Sequence, residues 1–295
     1  MSKKISAYVI FIIIAIISAG LILSTTRLGK EKVYPGEDDR VQILFLGDSN
    51  LAYDAQMDNL TIAQRLMERT GYNVINCAVG GTTAAKINYS DYFDKELDLL
   101  CLYNVSKVME TQEYETLMDS FWQTSLTEQQ AIERMQVLTA IDYDEIDYIV
   151  ISYGLNDYAI GVPIKDDDLY NEETYEGALR SSIERISELC PNATIILSSI
   201  TYCVFEDDGV VEDGYQTDWG GGTIQEYRDA ASQVASEYEN VIFMDNLTCL
   251  GMNRDNYTEY VFDGMHFNIA GQEKYTECLM EILLETERNK DEGSF

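Results

Sequence analysis

From Val41 onward, short runs of Val, Ile, Leu and Phe alternate with stretches whose apolar positions recur at helical spacing. Residues 42–46, 73–79, 148–152, 194–200 and 241–244 read as strands. They are apolar without strict alternation, as strands buried on both faces of a parallel sheet are. Residues 60–69, 127–139, 174–189, 224–238 and 269–285 read as the intervening helices. Thr174-Tyr175-Glu176-Gly177 opens one of these, and Cys190-Pro191-Asn192 ends it. Repeated βαβ units with right-handed crossovers build a three-layer α/β/α sandwich around a central parallel sheet of about five strands. The stretch 86–127 is too long for a plain connection; rich in Asp, Tyr and Met, it reads as a helical insertion placed to roof a site.

The N-terminus has a different pattern. Lys3 and Lys4 precede residues 5–23, a run without charge and dominated by Ile, long enough to cross a bilayer core as a helix. It predicts an uncleaved, single-pass anchor with the following domain outside the membrane. The rival expectation is secretion after cleavage of a signal peptide at Ser18-Ala19-Gly20, although the apolar run continues through residues 21–23. Residues 24–40, with Pro35-Gly36, form a linker, residues 41–285 one domain, and residues 286–295 a polar tail.

Composition narrows the partners. An apolar fraction of 46% and a charged fraction of 24% are those of a globular chain. The net charge is −32; residues 1–40 hold six of the 20 basic and four of the 52 acidic side chains, so the remainder holds 14 against 48. Such a domain repels nucleic acid and anionic membrane surfaces. Asp166-Asp167-Asp168 lacks the alternating ligands and glycine turn of a calcium loop and reads as loop surface. The six cysteines form no CxxC pair and have no metal-ligand spacing with the single histidine, so neither metal nor cofactor is expected. Several lie in apolar runs as small buried hydrophobes, and the sequence names no disulfide pair. Asn-x-Ser/Thr occurs at Asn59, Asn88, Asn104, Asn192, Asn246 and Asn256.

The candidate chemistry falls where strands end. Ser49 follows the first strand in Gly47-Asp48-Ser49-Asn50, Gly80-Gly81 the second, and Gly154-Leu155-Asn156-Asp157 the third. The only histidine, His266, follows the fifth, three residues after Asp263. Ligands of parallel α/β sheets bind beyond the carboxyl ends of the strands. Acyl transfer through serine needs a nucleophile, a base, an acid that orients the base, and donors for the oxyanion. Ser49, His266 and Asp263 fit the first three; the Ser49 N–H, the N–H of Gly81 or Gly80 and the Asn156 carboxamide fit the fourth. Asp48 reads as support of the turn and Asp157 as a helix cap. Trp219-Gly220-Gly221-Gly222, after the acidic stretch 206–218, reads as a mobile loop, either touching substrate or plain surface.

Gly47-Asp48-Ser49, the run from Asn76 to Gly81, Gly154-x-Asn156-Asp157 and Asp263-x-x-His266 resemble the four ordered blocks of the SGNH hydrolase (GDSL esterase/lipase) superfamily over residues 41–285. The resemblance implies a flavodoxin-like sandwich, Ser49 as nucleophile, Asp263 and His266 as its triad partners, and an oxyanion hole of Ser49, Gly81 and Asn156. It selects Gly81 over Gly80, because the family's glycine lies five residues after the equivalent of Asn76. Asn50 departs from the family, which has an apolar residue there. The expected activity is hydrolysis of a short-acyl, acetyl-type ester of carbohydrate or another small alcohol outside the cell. A lipase, lysophospholipase or thioesterase, an O-acyltransferase and a membrane-anchored binding module are the alternatives.

Overall fold

Seven strands and nine helices follow one another among the described residues of a computed structural model, which are 39–292 apart from 56–59, 88–98, 115–125 and 208–209. The strands are β1 (Gln42–Gly47), β2 (Asn73–Asn76), β3 (Tyr148–Ser152), β4 (Thr194–Ser198), β5 (Val204–Asp207), β6 (Val210–Asp213) and β7 (Val241–Met244). The helices are α1 (Ser49–Ala52), α2 (Ile62–Thr70), α3 (Leu102–Thr111), α4 (Leu126–Leu138), α5 (Leu155–Ile160), α6 (Tyr175–Leu189), α7 (Ile224–Ala235), α8 (Asn246–Leu250) and α9 (Ile269–Glu292).

Five strands pair in parallel in the order β2-β1-β3-β4-β7. Ile43, Leu44, Phe45 and Leu46 are all 0% exposed, which is why β1 is apolar at consecutive positions: helices cover both faces. The chain steps from β1 to β2 in one direction and through β3, β4 and β7 in the other. Right-handed crossovers then put α2 on one face, where it packs with α9, and α3, α6 and α7 on the other, where they pack side by side. The connections leaving β1 and β3 diverge, so the crevice beyond their carboxyl ends is the natural binding position of this fold.

Local signals set the helix starts. The Thr174 hydroxyl accepts from the Gly177 N–H, and Thr61–Gln64 and Thr223–Glu226 form reciprocal capping boxes. β2 and β4 are shorter than the sequence predicts, although Val79 and Ser199 beyond their ends still donate N–H groups to Gly47 of β1 and Met244 of β7. Asn76 accepts from the Ala78 N–H (3.0 Å), and Ser199 donates its N–H to Met244 (2.9 Å) while Asn246 engages Ser198. Asn246 is fully buried, its carboxamide donating to the Ser198 hydroxyl (2.8 Å), so this Asn-x-Ser/Thr position is part of the core.

Helix α9 continues to Glu292 instead of ending at 285. Its polar end is anchored: Tyr148 donates to Glu287, and Lys290 lies over the Tyr148 ring (4.4 Å). A disulfide joins Cys249 in α8 to Cys278 in α9, with Cα atoms 6.2 Å apart. Cys77, Cys101, Cys190 and Cys203 are buried and take no part in that disulfide. Of the predicted insertion 86–127, residues 88–98 and 115–125 lie outside the described residues; α3 belongs to the outer layer against α6. The predicted anchor 5–23 also lies outside them, and no described helix is long and apolar enough to cross a membrane.

Candidate active site

Ser49 is the first residue of α1, set at the mouth of the crevice by the Gly47–Ser152 register of β1 and β3. Asp48 caps that short helix by accepting from the Asn50 N–H (3.0 Å), and its own N–H donates to the Ser152 carbonyl (3.2 Å). Burial pushes the Asp48 carboxyl up to about 6, against the lowering effects of the Asn50 N–H and of His266.

His266 arrives from the far end of the chain. Its Nε2 lies 2.9 Å from Ser49 Oγ, and its Nδ1 lies 2.6 Å from Asp263 Oδ2. An Nδ1–H tautomer donates to Asp263 and leaves Nε2 to accept from the serine hydroxyl. The second Asp263 oxygen accepts from the Met265 N–H (3.0 Å) and the His266 N–H (2.8 Å), so this carboxylate fixes both the ring and the turn that carries it. Burial raises the Asp263 pKa, but these donors and the imidazole outweigh it and hold the carboxyl below its ordinary range. Burial lowers the pKa of His266; the Asp263 hydrogen bond and the charges of Asp263 and Asp48 more than offset this, leaving it above 6.5.

The turn needs a glycine. Gly264 has φ +88°, and a Cβ there would lie 2.2 Å from the Val204 carbonyl oxygen, whose own N–H donates to Gly264 (2.9 Å). The histidine loop therefore rests on the first residue of the β5–β6 hairpin, an antiparallel pair outside the main sheet. The sequence conceals this hairpin, because its acidic residues read as a loop.

Opposite His266, the loop after β2 approaches Ser49. Val79 donates its N–H to the Gly47 carbonyl of β1 (2.8 Å), and Asn76 donates to the Leu51 carbonyl of α1 (2.7 Å), tying the loop to both. Gly80 is packed on Tyr53, whose hydroxyl would be 2.0 Å from a Cβ; the following Gly81 is half-buried with φ +81°. Asn156, at the start of α5, donates from its carboxamide to the Thr82 carbonyl (2.8 Å).

Two supporting residues escape sequence reasoning. Asp157 is fully buried, and its two carboxylate oxygens accept from the Ala84 and Ala85 N–H groups at 2.9 and 3.0 Å. It therefore holds the loop after Gly81, a long-range grip that a helix-cap reading misses; burial, opposed by those N–H groups, pushes its pKa up to about 7. Asn50 donates to the Met265 carbonyl (3.4 Å) and accepts from the Phe267 N–H (3.1 Å), gripping the backbone on both sides of His266. No local pattern signals either contact.

The 219–222 loop is fastened rather than free. Asp218 accepts from the Gly220 and Gly222 N–H groups (2.6 and 2.9 Å), and a Cβ at Gly221 would lie 2.1 Å from the Val162 carbonyl. Trp219 packs edge-on against Phe205. Asp166 and Asp168 accept from neighbouring backbone N–H groups in an exposed loop.

A hydroxyl, an imidazole and a carboxylate in one hydrogen-bonded chain, at the crevice of a parallel sheet, define the class of serine-dependent acyl hydrolases. Residues 119–274, more than half of the chain, match the GDSL-like Lipase/Acylhydrolase family, and the protein belongs to that family as a serine ester hydrolase. The matched span contains Asn156, Asp263 and His266 and begins after Ser49 and Gly81. Solved structures share the fold at low identity. A Lactobacillus plantarum protein is 19% identical with TM-score 0.57, covering 86% of this chain and 99% of its own. A possible lipase from Chitinophaga pinensis is 16% identical with TM-score 0.54, covering 84% and 99%. A candidate GDSL-like lipase from Bacteroides ovatus is 14% identical with TM-score 0.51, covering 84% and 100%. No curated protein sequence matches the chain.

Proposed function

We propose that Ser49 is the nucleophile of a short-acyl, acetyl-type esterase whose substrates are esters of carbohydrate or other small alcohols outside the cell. The observation that carries this reading is the continuous chain from Ser49 Oγ through His266 to Asp263. His266 takes the hydroxyl proton as Ser49 Oγ attacks the ester carbonyl. Negative charge then develops on the carbonyl oxygen, where the N–H groups of Ser49 and Gly81 and the second N–H of the Asn156 carboxamide receive it. Collapse expels the alcohol, which takes the proton from His266. Water, deprotonated by the same imidazole, then cleaves the acyl-serine and regenerates Ser49. Asp263 keeps the ring in the required tautomer and stabilises the imidazolium.

The external location draws support from the uncharged run 5–23 and from the Cys249–Cys278 disulfide, a bond that persists in oxidising compartments. An acidic domain also favours neutral substrates over anionic lipid. The test is hydrolysis of 4-nitrophenyl acetate by the full chain. Ser49→Ala and His266→Ala should each lower the rate at least ~10³-fold; wild-type rates in both would overturn the mechanism. A preference for octanoyl over acetyl esters would make the enzyme a lipase, and acetylated product with a sugar acceptor would make it a transferase.

A further inference from the structure

We infer that Phe262 is the platform for the leaving alcohol, and that the alcohol it selects is a pyranose ring. The inference rests on the reading of His266 as the acid that protonates the leaving oxygen. That oxygen must come within hydrogen-bond reach of Nε2, so the atoms bonded to it lie beside the imidazole. There the Phe262 ring is nearly parallel to the imidazole, at 21° with 5.8 Å between centroids. The ring is 46% exposed, one of four large apolar side chains this exposed among the described residues, with Leu169, Tyr170 and Leu284. Of these four, Phe262 is the one stacked on His266.

Backbone bonds, not burial of the ring, hold Phe262 in place. Its N–H donates to the His266 carbonyl (3.0 Å), and Val261 pairs with Phe267 across the turn. The exposed face is therefore spare apolar surface beside the reacting atoms, and covering it is favourable. A pyranose offers a flat C–H face to such a ring and keeps its hydroxyl edges free for water or neighbouring polar groups. A linear alkyl alcohol has no matching face, and a phosphate-bearing alcohol would meet the strongly acidic domain.

The experiment compares full-chain wild type, Phe262→Ala and Phe262→Trp on three acetates: methyl 6-O-acetyl-glucopyranoside, cyclohexyl acetate and ethyl acetate. All carry the same acyl group, so differences report the alcohol. Wild type should turn over the pyranoside with the highest kcat/KM. Phe262→Ala should raise KM for the pyranoside about tenfold, equivalent to about 1.4 kcal/mol, and lower kcat/KM for the pyranoside far more than for ethyl acetate; Phe262→Trp should keep the wild-type KM. Equal losses of Phe262→Ala on the pyranoside and ethyl acetate would mean that Phe262 acts through His266 and would overturn the proposal. No loss on either, or a wild type that prefers cyclohexyl acetate, would also overturn it while leaving the serine mechanism intact. A wild type inactive on all three would remove the esterase reading itself.

Discussion

The Asn50 carboxamide accepts a hydrogen bond from the Phe267 N–H across a sequence separation of 217 residues, beside its donation to the Met265 carbonyl. Both contacts are buried, and His266 lies between the two residues they hold. The position where the family carries an apolar side chain is here a clamp between the serine turn and the histidine turn.

Replacing Asn50 with Leu removes the clamp and leaves the buried Phe267 N–H without its acceptor. An unsatisfied buried donor costs about 1–3 kcal/mol, so urea unfolding should show a loss of that size. Misplacement of His266 should lower kcat about 10- to 100-fold with KM nearly unchanged. Wild-type kcat in the Asn50→Leu variant would show that Asp263 alone suffices to place the imidazole.

The acid limb of the pH–rate profile belongs to His266. Its pKa is raised, so activity should fall as pH drops through a midpoint above 6.5, the imidazole becoming protonated and unable to act as base. Asp48 contributes to that upward shift. Asn caps helices as well as Asp, so Asp48→Asn should keep α1 in place while moving the acid limb to lower pH. An unmoved limb would remove Asp48 from the electrostatics of the base.

Asp157 couples pH to stability. Its carboxyl stands at about 7 against an ordinary 3.8, so between those values the native chain holds a proton that the unfolded chain has released. Stability from this group is therefore full below about 3.8 and declines as pH rises toward about 7. Asp157→Asn should flatten that part of the wild-type stability curve, measured by urea unfolding at pH 4.5 and 8. Asp157→Ala strands the Ala84 and Ala85 N–H groups and should cost about 2–4 kcal/mol.

The Cys249–Cys278 bond closes a loop with a sequence separation of 29. Such a crosslink is worth about 2–4 kcal/mol through the unfolded chain. Thermal unfolding with and without dithiothreitol should differ by several degrees, and Cys249→Ser with Cys278→Ser should reproduce the reduced value. Equal melting temperatures would exclude the bond from the folded enzyme.

What the sequence made legible was whatever carries a period or a punctuated motif. The five sheet strands, the Thr174 cap and the placement of Ser49, Gly80-Gly81, Asn156, Asp263 and His266 beyond strand ends could be read from the sequence, with Gly81 chosen over Gly80 only by the family resemblance. The β5–β6 hairpin could not, since Glu206, Asp207, Glu212 and Asp213 mask its strand signal and its strands pair with each other outside the main sheet. Helices α1 and α5 are too short to show a helical period. The grips of Asn50 on the histidine loop and of Asp157 on Ala84 and Ala85 join distant segments, so only the folded chain displays them. The end of α9 past residue 285 depends on Tyr148, from another layer, engaging Glu287 and Lys290.

The seat of Gly264 on Val204 divides the site mechanically. Ser49, Gly81 and Asn156 follow directly from strands of the main sheet, whose spacing the whole core enforces. His266 and Asp263 instead lie in a turn held on one side by Asn50 and on the other by Val204, the start of a hairpin that pairs with no strand of the main sheet. Substitutions in that hairpin can therefore tilt the proton-transfer half of the site while the acyl-binding half stays fixed. Evolution could retune turnover in this enzyme through that hairpin without altering a strand of the main sheet.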